Sequence, residues 1–283
     1  MGDEKRAQAS EPAALVRAQG LSKCYVQRRR FSRKVFVVSA LDNLDLSIQA
    51  GRTLAVVGPS GSGKSTLGRC LARLEEPGSG EIWFGDKNLL TLTARELLPV
   101  REQIQLVFQG PAATFNPRFS AVQIVAEPLA IQGRGSRQDR RRRAQELMDQ
   151  VGLPSVCRER RPLELSGGQR QRLAIARALT LEPKFLILDE ALSGLDLSIQ
   201  AQIVNLLLEL QELYCLTYLF ISHDLGMVAH IADEVAVMHR GRIVERAATL
   251  DLFSNARHPL TRALLTSLPA PPAHAYEAPS QPH

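Results

Sequence analysis

Residues 53–66 read Thr-Leu-Ala-Val-Val-Gly-Pro-Ser-Gly-Ser-Gly-Lys-Ser-Thr, and few folds accommodate that order. The apolar run 53–57 ends at Gly58-Pro59, which predicts a buried strand entering a loop. From Lys64 to Leu74 the apolar residues Leu67, Leu71 and Leu74 recur at helical spacing. Between strand and helix, residues 58–65 fit G-x-x-x-x-G-K-[ST], a pattern that requires this strand-before, helix-after context.

Each residue type in the loop has a chemical reason. Gly58, Gly61 and Gly63 let backbone N–H groups converge on phosphate oxygens without a Cβ in the way, and Pro59, Ser60 and Ser62 complete the loop. The helix that follows turns its positive dipole end toward an anion. Lys64 supplies a compact charge for β- and γ-phosphates, Ser65 a hydroxyl for Mg²⁺, and Thr66 a donor for an α-phosphate. The loop therefore predicts a bound nucleoside triphosphate with Mg²⁺.

Further apolar runs at Ile104–Phe108, Phe185–Leu188 and Thr217–Ile221 predict strands. Val235–Met238 followed by Gly241–Val244 predicts a hairpin, and Ile199–Leu213 has helical periodicity. Strands alternating with helices imply an α/β chain with a mostly parallel, helix-covered sheet. The stretch from about Ala121 to Gln169 shows helical periodicity and no strand signal, so a helical insert within the core is expected over about 110–171. It contains the run Arg137-Gln-Asp-Arg-Arg-Arg-Arg143, which lacks interleaved aromatic residues for base stacking and reads as a solvated helix face.

Asp189 and Glu190 end the apolar run 185–188, where an open α/β sheet places its ligands. Asp189 is the expected Mg²⁺ ligand, and Glu190 suits a base or positioner for an attacking water. Adjacent strand side chains point to opposite faces, so both acids reach one site only if the chain turns there. Gln109, after the strand ending at Phe108, is a neutral amide able to orient water and touch Mg²⁺. His223 follows the strand 217–221 and precedes Asp224, a candidate helix cap. Ser166-Gly167-Gly168-Gln169 fits a capping box before an expected helix at Arg170–Leu179. A helix start with two glycines offers free N–H groups to an anion, which makes it a second phosphate-contacting surface. One chain cannot easily use both surfaces on one nucleotide, so two copies closing face to face are implied.

The chain has 283 residues, 45% apolar, with a net charge of +6. That charge permits contact with nucleic acid or anionic lipid without requiring it. No apolar stretch approaches the roughly 18–20 residues that span a bilayer. The polar start Met1-Gly-Asp-Glu-Lys-Arg gives no signal-peptide pattern. Cys24, Cys70, Cys157 and Cys215 are scattered, as reduced thiols are. Residues 1–13 and 269–283 read as flexible tails around a unit at 14–268.

In this order and spacing the phosphate loop, Gln109, Ser166–Gln169, Asp189-Glu190, Ser193-Gly194-Leu195-Asp196 and His223 resemble the ATP-binding subunits of ATP-binding cassette (ABC) transporters. The resemblance covers about 14–268. It implies a P-loop NTPase core with an antiparallel β subdomain and an inserted α-helical subdomain. It implies ATP and Mg²⁺ as ligands. It makes Tyr25 similar to the aromatic that stacks on adenine and Asp196 similar to the acid of the loop crossing the dimer seam. Ser166 and Gly168 would touch the γ-phosphate held by the opposite subunit. The implied partners are integral membrane permease subunits, a second ATPase subunit (identical or different) and, indirectly, an extracytoplasmic substrate-binding protein, with no nucleic acid. The implied place is the cytoplasmic face of the inner or plasma membrane.

Phe108-Gln109-Gly110-Pro111 through Arg118, Glu127-Pro128-Leu129 and His258-Pro259-Leu260-Thr261-Arg262-Ala263-Leu264-Leu265 resemble the oligopeptide/dipeptide (and nickel) importer group, the latter as a C-terminal segment of about 247–268. Gly110 and Leu163 depart from that group, which usually has Asp and often has His there. The implied cargo is peptide; nickel or another small solute, or a soluble ATPase acting on ribosomes or DNA, are the alternatives.

Overall fold

The computed structural model describes residues 14–28 and 35–266, so the tails expected at 1–13 and 269–283 lie outside the described residues. Two 15-residue strands come first, β1 (Ala14–Arg28) and β2 (Val35–Gln49), paired antiparallel. Then follow β3 (Thr53–Val57), α1 (Lys64–Leu71), β4 (Ser79–Phe84), β5 (Lys87–Asn88), α2 (Ala94–Gln103) and β6 (Ile104–Val107). Three helices, α3 (Ala121–Ile131), α4 (Arg137–Gln150) and α5 (Gly167–Leu179), precede β7 (Phe185–Asp189). The chain ends with α6 (Leu197–Tyr214), β8 (Thr217–Ile221), α7 (Leu225–Ile231), β9 (Glu234–His239), β10 (Arg242–Ala248), α8 (Thr249–Asn255) and α9 (Pro259–Thr266).

The strands form two sheets. A four-stranded antiparallel sheet has the order β2-β1-β4-β5, and a six-stranded sheet has the order β10-β9-β3-β8-β7-β6. In the larger sheet β9, β3, β8, β7 and β6 run parallel, and β10 closes one edge antiparallel to β9. Every residue of β3, β7 and β8 is buried, as continuous apolar runs predict for strands covered on both faces.

The larger sheet is a wall between two cores. Leu54, Val56, Phe185, Ile187, Leu219 and Ile221 face a core shared with α1, α2 and the antiparallel sheet. Ala55, Val57, Leu186, Leu188, Tyr218 and Phe220 face a second core shared with α3 to α7. The period of two in a strand makes this division. Each fully buried Leu, Ile or Phe contributes about 1.5–3 kcal/mol, so the strand positions that end at the site rest on a rigid base.

Local signals set the helix starts. Thr93, Ser136 and Ser166 each accept a hydrogen bond from the backbone N–H three residues on and open α2, α4 and α5 with capping boxes. Helix α4 buries only Ala144, Leu147 and Met148. Its arginine run faces outward, with Arg141, Arg142 and Arg143 paired to Glu159, Asp139 and Glu182.

Of the boundaries that differ from expectation, two have a clear local cause. Helix α1 stops at Leu71 rather than Leu74, because Arg73 adopts a left-handed φ of 52° and Leu74 N folds back to Arg69 O. Leu74 is consequently 55% exposed. Helix α5 starts at Gly167 rather than Arg170, because the Ser166 cap brings both glycines into its first turn.

Candidate nucleotide site

Val57 leads from β3 into Gly58, Gly61 and Gly63, whose φ values are 148°, 77° and 107°. A Cβ at Gly58 would stand 2.1 Å from Met238 O, and one at Gly63 2.0 Å from Ala40 O. Glycine at these two positions is required by the protein's own backbone as well as by an anion. At Gly61 a Cβ would meet nothing within 4 Å. Lys64 folds back over the loop, and its Nζ donates to Gly58 O at 2.8 Å and Pro59 O at 3.0 Å. Burial pushes the Lys64 pKa down, and Glu190 and Asp189 pull it back up. Ser60 is exposed and Ser62 buried, and the Ser62 hydroxyl has no hydrogen-bond partner.

Strand β8 lies next to β3 and β7 lies beyond it, all three parallel, so their carboxyl ends bring Asp189, Glu190 and His223 to the same end of the sheet as the loop. Ser65 Oγ donates to Asp189 Oδ1 at 2.8 Å. Burial pushes the Asp189 pKa up, while the Ser65 hydrogen bond and Arg69 oppose it. Glu190 has a left-handed φ of 47°, the turn that two adjacent acids need to share a site. Its N–H donates to Ile221 O at 3.0 Å, and Ser193 Oγ donates to its carbonyl at 2.8 Å. His223 Nδ1 lies 3.9 Å from Glu190 Oε1. Asp224 caps α7 by accepting from Met227 N at 3.1 Å.

The structure therefore brings Gly58 to Thr66, Asp189, Glu190 and His223 together. Tyr25 joins them, because its hydroxyl shares a 3.3 Å hydrogen bond with Thr66 Oγ1. Gln109 follows β6 at the same end of the sheet and is exposed. Ser166 and Asp196 are also exposed. The side-chain hydrogen bonds of Ser166 and Gln169 stay within their capping box, with Ser166 N donating to Gln169 Oε1 at 3.0 Å. Gly168 has a packing reason of its own: a Cβ there would lie 2.7 Å from Ile199 Cγ2 of α6, and one at Gly167 3.1 Å from Leu195 Cδ2.

Sequence reasoning missed the buttress of the loop. Gly241, in the turn between β9 and β10, donates its N–H to Ser62 O at 2.9 Å and accepts from Asp42 N at 3.0 Å. Arg242 Nε closes the arrangement on Asp42 Oδ2 at 2.8 Å. The signal was one glycine in a hairpin turn, with nothing local to tie it to residue 62.

A buried strand, a glycine loop over a retained lysine and an acid pair on a parallel neighbour define a P-loop nucleoside triphosphatase with an added antiparallel sheet and helical insert. The chain belongs to the ABC transporter family, whose model matches residues 41–193. It is an ATPase that binds ATP. It is 45% identical over 262 residues to the dipeptide transport ATP-binding protein DppF of Haemophilus influenzae, covering 93% of this chain and 80% of that one. It is 48% identical over 240 residues to the oligopeptide transport ATP-binding protein AppF of Bacillus subtilis, covering 84% and 73%. Among solved structures it is similar to the dimeric post-hydrolysis state of the cassette MJ0796 bound to ADP and Pi, with a TM-score of 0.74 and 30% identity over 83% of this chain and 98% of that one. Among the described residues no helix is long and apolar enough to cross a membrane.

Proposed function

We propose that this chain is the ATP-hydrolysing motor subunit of an importer for peptides, acting as one half of an ATPase dimer at the cytoplasmic face of a membrane. The observation that carries the dimer is the exposed Ser166 helix start, whose side-chain hydrogen bonds close on its own capping box and so leave it free to face a second subunit. The names of the dipeptide and oligopeptide relatives support peptide as cargo.

In this reading, ATP phosphates accept from the N–H groups of residues 58–65, and Lys64 exchanges its two carbonyl acceptors for β- and γ-oxygens. The oxygen donors Ser65 and Asp189 suit a hard cation and would hold Mg²⁺ with the help of the phosphates. A Mg²⁺ ion held there would supply charge stabilisation to the transferring phosphoryl group. Tyr25 stacks on the base. Glu190 accepts a proton from the attacking water, His223 bonds the γ-phosphate, and Gln109 orients the water. Ser166, Gly167, Gly168 and Gln169 of a second ATPase subunit complete the γ-phosphate site across a seam flanked by Asp196. Closure then moves permease subunits seated near Gln109 and the helical insert, and loss of the γ-phosphate reopens the clamp.

The test is Glu190→Gln. Phosphate release should fall by about 10²-fold or more, while ATP still drives dimerisation seen by size-exclusion chromatography. Undiminished hydrolysis would remove Glu190 from its role. Purification from membranes in detergent should yield permease subunits with the chain; their absence would count against the importer.

A further inference from the structure

Lys23 and Tyr25 are two residues apart in β1, on either side of a register shift between Lys23 and Cys24, and their side chains meet in space. The third strand of their sheet reaches only as far as Ser22, so the ribbon beyond it has no sheet neighbour to fix its side chains. They are fixed instead by the segment after α1. Lys23 Nζ donates to Glu76 O at 2.6 Å and lies 3.6 Å from Glu75 Oε1. The ammonium, thus anchored, sits over the Tyr25 ring, 5.4 Å from its centroid. The Tyr25 hydroxyl is tied on its other side to Thr66 Oγ1 at 3.3 Å.

We propose that Lys23 is a positioning residue for the nucleotide base: its anchored ammonium holds the Tyr25 ring at the tilt on which the base stacks. This rests on the reading of Tyr25 as the stacking residue. Two tethers define the ring plane, the hydroxyl at one edge and the cation over one face. With the cation over one face, the opposite face is the one a planar base would take. Attraction between an ammonium and an aromatic face also restricts the ring before binding, so less freedom is lost when the base arrives. The Lys23 ammonium is bonded to Glu76 and paired with Glu75 rather than with the phosphate loop, so the loss of its charge falls on the base.

The experiment compares equilibrium binding of Mg-ATP and of inorganic tripolyphosphate by the full chain and by K23M, K23R and Y25A. Lys23→Met keeps the aliphatic stem and removes the charge. It should weaken ATP about two- to five-fold and leave tripolyphosphate unchanged. Lys23→Arg, which also sits over aromatic faces, should bind ATP as the native chain does. Tyr25→Ala should remove most of the preference for ATP over tripolyphosphate. Equal weakening of both ligands in K23M would make Lys23 a merely structural residue and overturn the proposal. So would unchanged ATP binding in K23M beside a weakened Y25A. An unchanged Y25A would overturn the stacking reading itself, and the proposal with it.

Discussion

Ser65 Oγ donates a 2.8 Å hydrogen bond to Asp189 Oδ1 across 124 positions of sequence. It joins the first turn of α1 to the last residue of β7, and it sets the two oxygen donors of the site side by side. Asp189 is only 5% exposed.

Burial pushes the Asp189 pKa up, which has a definite sign for stability. With the folded pKa above the unfolded one, the native state holds more protons between the two values. Stability then falls as pH rises through that window and stays lower above it. Asp189→Asn removes the charge and keeps an acceptor for Ser65. The nucleotide-free variant should therefore be about 1–2 kcal/mol more stable than the native chain at neutral pH, with the gain vanishing in acid. Thermal melts across a pH series check this, and Mg²⁺-dependent hydrolysis should be lost in the same variant.

Glycine substitutions in the loop should rank by their surroundings. Gly63→Ala forces a Cβ to 2.0 Å from Ala40 O, a backbone atom that cannot swing away. It should cost about 2–4 kcal/mol and abolish ATP binding. Gly61→Ala meets no atom within 4 Å and bears only its φ of 77°, so about 1 kcal/mol is expected. Urea unfolding of the two variants decides the order; equal losses would contradict it.

Gly168 should carry two separable effects. Gly168→Ala collides with Ile199 Cγ2 at 2.7 Å, and Ile199→Ala removes that methyl. A double-mutant cycle should show a coupling of about 1–2 kcal/mol in stability, because the cavity accepts the new methyl. Under the proposed dimer, hydrolysis should stay low in the double variant, because the alanine would still obstruct the γ-phosphate held by the second subunit. Recovery of hydrolysis along with stability would reduce Gly168 to a packing residue.

Much of the large sheet was legible in residues 53–57, 185–188 and 217–221, because strands buried on both faces are apolar throughout. The antiparallel sheet was not legible residue by residue. Strand β1 has register shifts between Ala14 and Val16, Ala18 and Leu21, Leu21 and Lys23, and Lys23 and Cys24, which break the alternation that marks a half-buried strand. In the site, Lys64, Ser65, Asp189 and Glu190 followed from residue type and position. Lys23, Asp42, Gly241 and Arg242 did not, because their partners are backbone or side-chain atoms far away in sequence.

The amino-acid sequence alone determined the strand–loop–helix order at 53–71, the Ser166 cap and the residue types offered to phosphate and cation. These depend on local periodicity, glycine conformation and capping, which act within a few residues. Tertiary structure decided that Asp189 meets Ser65, that Gly58 and Gly63 press on Met238 and Ala40, and that Lys23 sits over Tyr25. The order β3-β8-β7 and the packing of a second sheet on α1 create those contacts, and both arise from burying two faces of one sheet rather than from any local preference.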